Sequence, residues 1–405
     1  MADQGTNEAT ARSIRALFDL PRFVVTVVER WAGWGRLTLV PKTTRFRCPQ
    51  CRTTIADGRL SRWRPLRDLD IGRRHIELRV PVYRVWCQPC GRPEVPSTLA
   101  RSYARCTRRL EQRLFELTGD STVKAVATRM DLNWETVKDA EVRYIRGLLR
   151  KRSLDNITRI GIDEVSYEKG HKYLTLVTDL DGHRVIYATH GNDGRAVARF
   201  IKWLGVKRCR RIKVVVTDMH DPYLAVLRKH LPRAALVFDH FHVSKVVHDA
   251  LDEIRRRIQR ELSPVDRKVI KGQRYVLLRA RERLNQRDQV SLQEILDANT
   301  DLTAGYVLKE AFREVFKATS LIEGRSRLKG WKVQVRESGV PELLQVLKTI
   351  ERRKKGIENF FRYRAANGMA EGFNNKVGTI KKDAYGFHDR EYLKLKILRL
   401  CGKIE

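Results

Sequence analysis

The sequence predicts an α/β protein whose mixed sheet carries a helical insertion and is preceded by a small cysteine-bearing β module and a three-helix segment. Three observations carry this expectation. Two matching Cys-x-x-Cys pairs, Cys48-Pro-Gln-Cys51 and Cys87-Gln-Pro-Cys90, lie among strand-like runs. Three segments of helical periodicity follow, and then strand-like runs give way to alternating helices and strands. At 405 residues the chain exceeds one ordinary domain. The pattern divides it into 1–105, 106–152 and 153–405, the last with an insertion at about 250–345.

Charge narrows the partner. Lys and Arg number 82 against 48 Asp and Glu, a net charge of +34. Residues 1–150 hold 29 Lys and Arg against 16 Asp and Glu, so the excess is spread over both halves rather than confined to a tail. Such a field attracts polyanions, and its spread implies a long footprint on double-stranded DNA. Hydrophobic residues make up 42% and charged residues 32%, which excludes a disordered chain. No run approaches the roughly 20 apolar residues of a membrane span, and no signal peptide is evident. The expected location is the cytoplasm, where thiols stay reduced, so the paired cysteines read as metal ligands.

Taken in order, residues 13 to 47 read as a short helix followed by strands at Val24–Val28 and Leu37–Val40. Each C-x-x-C turn aims two thiolates at one ion, so Cys48, Cys51, Cys87 and Cys90 form a closed, structural zinc site. The long linker between the pairs contains strand-like Ile76–Val85 and reads as a β-hairpin. Gly91 eases the second turn, whereas Arg52 stands where a glycine would help the first. Cys106, Cys209 and Cys401 read as buried thiols.

From Thr107 the period turns helical, with Leu110, Leu114 and Leu117 on one face and Gly119 as a stop signal. A second helix runs near Ser121 to Met130. Asp131-Leu132-Asn133 then turns into a third, on which Trp134, Val137, Tyr144, Ile145 and Leu148 share a face and which Asn133 caps. This is helix-turn-helix spacing, in which the second element of the motif enters the major groove by its first residues. Glu135, Thr136, Lys138 and Asp139 are the candidates for base edges or phosphates, with Lys124 and Arg129 toward the backbone. Arg146 to Arg152 either tracks phosphates or is a solvated helix end.

Strands are expected at Arg159–Val165, Tyr173–Thr178 and Arg184–Thr189, with a hairpin turn at Asp179-Leu180-Asp181-Gly182. A helix at Arg195–Leu204, a strand at Ile212–Thr217, a helix at Tyr223–His230 and a strand at Ala235–Phe238 follow. Three antiparallel strands and then alternating elements is the order of a ribonuclease H-like fold. Asp163 in the first strand and Asp218 at the end of the fourth would meet at one edge of its sheet, and hard oxygen ligands there suit Mg²⁺ or Mn²⁺. The third carboxylate is expected from Glu371, because Ala370-Glu371-Gly372-Phe373-Asn374-Asn375-Lys376 opens a helix that sets Glu371 and Asn374 or Asn375 on one face. Lys381 and Lys382 lie further along, for backbone phosphates.

Other acids read as local features. Strand alternation turns Glu164 to the face opposite Asp163. Asp179 and Asp181 suit the hairpin turn and Asp221 an N-terminal cap, whereas Glu358, also on an expected helix, is the best rival for the third carboxylate but lacks the Gly and Asn context of Glu371. Helices are expected at Val243–Leu262, Pro264–Leu284, Val290–Asn299 and Leu302–Phe316. Arg255-Arg256-Arg257 and Arg352-Arg353-Lys354-Lys355 read either as DNA clamps or as solvated helix faces, and Trp331 as packing rather than a stacking platform.

These segments together resemble bacterial insertion-sequence transposases of the ISL-three family. They include Cys48–Cys51, Leu66-Arg67-Asp68-Leu69 with Ile71-Gly72, Cys87–Gly91, Gly161-Ile162-Asp163-Glu164, Val216-Thr217-Asp218-Met219, Phe238-Asp239-His240-Phe241-His242-Val243 and Glu371-Gly372-Phe373-Asn374. The resemblance implies a zinc module, a helix-turn-helix and a DDE catalytic domain with Asp163, Asp218 and Glu371 as its triad. It implies binding to terminal inverted repeats, metal-dependent end cleavage and strand transfer into target DNA. It further implies a homodimer or larger synaptic complex and work on the bacterial nucleoid. Asp239-x-x-His242 is similar to a signature of several DDE superfamilies; the pair either supports the metal ligands, as Asn374 would, or contacts scissile DNA, or is a structural hydrogen-bonded pair. A non-catalytic DNA-binding regulator and a structure-selective nuclease are the alternatives.

Overall fold

A computed structural model describes residue 20 and residues 22–168, 170–263, 267–384 and 387–404. The short helix expected from residue 13 lies outside the described residues. The chain divides into two compact units, Met1–Lys151 and Arg152–Glu405.

The first unit opens with β1 (Phe23–Trp31) and β2 (Trp34–Pro41), continues through the two-residue strands β3 (Phe46–Arg47) and β4 (Thr54–Ile55), and ends its β part with β5 (Gly58–Arg67) and β6 (His75–Val85). Four of these form a sheet of order β1-β2-β6-β5, in which only β2 and β6 run parallel. Alternation explains the buried face: Val25, Leu37, Leu39, Leu66, Leu78 and Val80 point into one core. β3 and β4 pair as a small antiparallel ribbon around the first cysteine turn, and β5 with β6 is the hairpin expected between the cysteine pairs.

Three helices complete this unit: α1 (Arg108–Asp120), α2 (Val123–Met130) and α3 (Trp134–Lys151). Each has a side-chain cap. Thr107 accepts from the Leu110 amide, Thr122 from that of Ala125, and Asn133 from that of Glu135 at 2.8 Å. Leu110, Leu114, Val126, Ala127, Val137 and Ala140 form their core. Two expectations change. Gly119 does not stop α1, which runs on to Asp120, and Trp134 is 52% exposed rather than inward, since the first turn of α3 projects beyond the bundle. The Asp68 carboxylate, fully buried, accepts from the Thr107 hydroxyl at 2.6 Å and from Arg109 Nε at 2.7 Å, fastening the start of α1 to the β sheet. Buried Glu111 likewise receives Arg101 and Arg143, which ties α1 to α3.

In the second unit β7 (Arg159–Glu168), β8 (Lys172–Asp179), β9 (Arg184–His190), β10 (Val214–Thr217) and β11 (Ala235–Phe238) form one sheet of order β11-β10-β7-β8-β9. β7, β8 and β9 are antiparallel neighbours, while β10 runs parallel to both β7 and β11. Asp179 accepts from the Gly182 amide and from Arg184 at the hairpin, the local role expected of it. One face of the sheet packs Ile160, Ile162 and Val177 against α4 (Gly194–Leu204) and α6 (Asp221–His230), with the short α5 (Val206–Cys209) between them in sequence. The other packs Val165, Leu174 and Leu176 against α15 (Met369–Asp383) and α16 (Arg390–Leu400).

Helices fill the span between. They are α7 (His240–Glu261), α8 (Arg267–Ile270), α9 (Arg274–Leu278), α10 (Gln286–Ala298), α11 (Thr300–Phe316), α12 (Leu321–Ser338), α13 (Pro341–Arg352) and α14 (Lys354–Tyr363). The single helix expected over 264–284 is instead α8, α9 and a 3-10 turn at Arg281–Arg283, with 264–266 outside the described residues. The fully buried Lys309 ammonium donates to the carbonyls of Leu277 and Arg279, ending α9. One apolar core joins these helices to Leu224 of α6 and Phe238 of β11. Trp331 belongs to it, 2% exposed, with its indole N–H on the Leu308 carbonyl. Arg255 and Arg257 are held by Asp252, Glu342 and Asp301, and buried Arg353 donates to the Met219 carbonyl and pairs with Asp221. These arginines of the two basic clusters are therefore engaged within the protein. No helix among the described residues is long and apolar enough to cross a membrane.

Candidate functional site

Two groups of ligand-type side chains emerge, one in each unit. In the first unit the sulfurs of Cys48, Cys51, Cys87 and Cys90 all lie within 4.8 Å of one another, with 3.4 Å between Cys51 and Cys87. The two turns that hold them are equivalent. The Arg52 amide donates to the Cys48 carbonyl at 3.0 Å, and the Gly91 amide to that of Cys87 at 2.7 Å. Both residues are left-handed, with φ of +65° and +78°, so Arg52 adopts the conformation that its partner turn gives to glycine. Contact with Thr53 lowers the Cys51 thiol to about 6, whereas burial and the neighbouring sulfurs push Cys87 up to about 12. Four sulfurs this close cannot all ionise without a compensating cation. The set fits structural zinc, closed on all four positions.

On the helix-turn-helix, Lys124, Arg129, Glu135 and Asp139 are exposed, and Thr136 and Lys138 half-buried. The Lys138 ammonium lies 5.6 Å from the centre of the Trp134 ring, so the exposed indole shares the leading end of α3 with the expected DNA-contacting residues.

The second group lies where β7, β10 and α15 meet. Asp163, half-buried on β7, accepts from Asn374 Nδ2 at 3.0 Å. Of the two candidate amides, Asn374 is thus the one that reaches the acid; Asn375 is exposed. Burial holds the Asp163 carboxyl above its usual range, opposed by the Glu164 amide, by Asn374 and by His242, with Asp218 reinforcing the rise. Asp218 follows the last residue of β10, whose pairing with β7 sets Val216 beside Gly161, and its Oδ1 accepts from the His220 amide at 3.1 Å. Asn374 Oδ1 is buried with no hydrogen-bond partner, a hard oxygen beside Asp163. That orphan and the carboxylates are the donor chemistry that suits Mg²⁺ or Mn²⁺.

Glu371 stands in the exposed first turn of α15, one turn before Asn374. Among the described residues only the four cysteines are gathered closely enough to hold an ion by three or more side chains, so Asp163, Asp218 and Glu371 are not drawn together to that degree. Glu358 is engaged by Arg325 and Lys354. Asp239 caps α7 through the Phe241 amide and accepts from the Asn367 amide at 3.1 Å. Burial opposes its ionisation, but these bonds and His240 prevail and hold its carboxyl below the usual range. Its imidazole partner is His240, while His242 acts on Asp163.

Three further expectations change. Asp221 does not cap α6: it is the first helical residue and is held by Arg353. Arg152 does not track phosphates, because it donates to the Ile186 carbonyl and burial lowers it to about 10. Lys381 reaches the Ser166 carbonyl at 3.1 Å, leaving Lys382 as the exposed cation of the two. Sequence reasoning missed Asn367, whose amide oxygen would collide at 2.5 Å with a Cβ on Gly161. The glycine two residues before Asp163 was the available signal.

Comparison with known proteins identifies the family. Residues 160–397 match a family model described as a transposase, and residues 95–145 one described as the helix-turn-helix domain of transposase family ISL3. The chain is 32% identical to the transposase for insertion sequence element IS1001 of Bordetella parapertussis, covering 93% of this chain and 98% of that protein. It is 29% identical to the transposase for insertion sequence element IS1557 of Mycobacterium tuberculosis, over 88% and 86% of the two. With matches over both units and along nearly the whole of a relative, the chain belongs to the ISL3 family of transposases.

Proposed function

We propose that this chain binds the terminal inverted repeats of its own insertion sequence, cleaves the element ends and joins them to target DNA at a divalent-metal site formed by Asp163, Asp218 and Glu371. The observation that carries this reading is the hydrogen bond from Asn374 to Asp163, because it docks the N-terminal half of α15 on β7, one turn beyond Glu371. Residues three apart on a helix are neighbours, which puts the exposed Glu371 side chain on the same side of α15 as Asn374. The sheet order supports a ribonuclease H-like assignment for 153–405, with the helical insertion at about 250–345. We assign 1–105 to the zinc module and 106–152 to the helix-turn-helix.

When bound, divalent ions would supply an activated water and would stabilise charge on the scissile phosphate. The chain's own residues do the rest. Asn374 orients the Asp163 carboxylate, His242 favours its ionised form, and Asp239 holds the segment at Asn367 that packs beneath Gly161. Glu135, Thr136 and Lys138 would meet base edges or phosphates, with Lys124, Arg129 and Lys382 along the backbone. Both chemical steps are in-line displacements at phosphorus, so one set of carboxylates serves them in turn. Joining two ends calls for at least two copies of the chain, working on the nucleoid in the cytoplasm.

The test is cleavage of a DNA substrate bearing an inverted-repeat end, with Mn²⁺ as cofactor. Cutting at the end by the parent protein and its loss in Asp163→Asn supports the reading. Cutting of branched junctions instead would identify a structure-selective nuclease, and binding without cutting a regulator.

A further inference from the structure

The leading end of α3 presents an apolar surface that the three-helix core does not use. Val137 and Ala140, one and nearly two turns along, are fully buried in that core, whereas the indole of Trp134 lies outside it and is 52% exposed. The backbone that carries the indole is nonetheless fixed. Asp131 closes α2 in the left-handed region, with φ of +48°, and the Leu132 amide donates to the Ala127 carbonyl at 3.0 Å. The Asn133 side chain accepts from the Glu135 amide at 2.8 Å, and the Asn133 carbonyl accepts from the Thr136 amide at 3.0 Å. The first turn of α3 is thus pinned from its first residue. The Lys138 ammonium, 5.6 Å from the centre of the Trp134 ring, lies one turn further on the same side of the helix.

We propose that Trp134 is a specificity-determining residue for inverted-repeat binding, its ring packing on the 5-methyl group of a thymine in the major groove. This rests on the inverted-repeat reading above. The second helix of a helix-turn-helix meets base edges by its first residues, and Trp134 is the first residue of α3, inside the segment that matches the helix-turn-helix model. The major groove offers one apolar group, the thymine methyl; every other mark on a base edge there is a hydrogen-bond donor or acceptor. Glu135, Thr136 and Lys138 carry the donors and acceptors that read such marks, whereas an indole has a single donor and a broad apolar face. Holding that face in water costs the free protein, and closing it on a methyl group recovers the loss only where a thymine stands. Because the first turn is already pinned, little ordering offsets the contact.

The test is a mobility shift of the full-length, zinc-loaded protein on terminal DNA of its element, with each thymine replaced in turn by uracil, which removes only the 5-methyl group. The parent is expected to lose about fourfold in affinity at one or two positions, the worth of one buried methyl group. Trp134→Ala should bind the unmodified end about tenfold more weakly, as a single wrong base pair would, and should be indifferent to uracil at those positions. Its affinity for unrelated DNA and its salt dependence should match the parent's, because the indole neutralises no phosphate. Its melting temperature should hold as well, since the ring stands outside the core. Trp134→Phe, which keeps an aromatic face, should keep the uracil response. Absence of any uracil effect in the parent overturns the inference, as does an undiminished effect in Trp134→Ala. A lowered melting temperature in Trp134→Ala, with specific and non-specific binding lost alike, overturns it too by marking the ring as structural. If the parent does not prefer the element's end to unrelated DNA, the inverted-repeat reading itself fails; preference without a uracil response that depends on Trp134 removes only the role of Trp134.

Discussion

The two candidate metal centres are built on opposite plans. The cysteine centre draws its ligands from two short turns within 43 residues, each turn pinned by its own backbone hydrogen bonds, and its sulfurs are already gathered. The carboxylate centre draws on β7, the end of β10 and α15, elements spread over more than 200 residues, and its acids are only partly assembled. A site that must hold a fold together benefits from being closed and finished. One that must admit a phosphodiester and release it has to keep positions open, and like charges held together without a cation would repel.

Four experiments break or sharpen this contrast. The largest effect is expected from Cys87→Ser or from zinc removal by a chelator. Structural zinc contributes on the order of 10 kcal/mol to folding, so circular dichroism should report loss of the β module. Because Asp68 fastens that module to α1, inverted-repeat binding in a mobility-shift assay should fall to the non-specific level. If binding survives, the closed centre is not what supports the helix-turn-helix. Next, Asp163→Asn and Asp218→Asn should each reduce end cleavage by about a thousandfold or more, equivalent to roughly 4 kcal/mol of barrier, while inverted-repeat binding persists. A milder result follows for Asn374→Ala. Removing a group that orients a metal-ligating carboxylate should cost about 10- to 100-fold in cleavage, read from single-turnover rates at fixed Mn²⁺. The smallest change is a gain. Arg52→Gly relieves a left-handed residue, and thermal melting of the zinc-loaded protein should show about 1 kcal/mol of added stability.

Much of the architecture was legible because it rests on local periodicity. Val24–Val28, Ile76–Val85 and Ala235–Phe238 alternate or run apolar, and each falls within an observed strand. Asn133 announced α3 by its own capping chemistry. The failures share a different cause. Trp134 has the right spacing for a core position, but its burial depended on how far the bundle extends. Arg152 reads as part of a basic run until the Ile186 carbonyl is seen to accept from it. Asp221 carries a good capping side chain, yet Arg353, 132 residues later, holds it instead. Within the carboxylate site, helical spacing reduced the amide to Asn374 or Asn375 and no further, since consecutive residues differ only in which way the docked helix is turned. Asn367 lies in a loop between helices, where periodicity says nothing.

The core that runs without interruption from Leu224 and Phe238 into α7, α11, α12 and α14 has a consequence for how this unit comes apart. Gly356 fits so closely on the Phe238 ring that no larger residue has room there, and Arg353 secures the neighbouring turn to the Met219 carbonyl. Sheet and insertion should therefore melt as a single cooperative block, with amide protons of β11 and α11 exchanging at the same slow global rate rather than in separate stages.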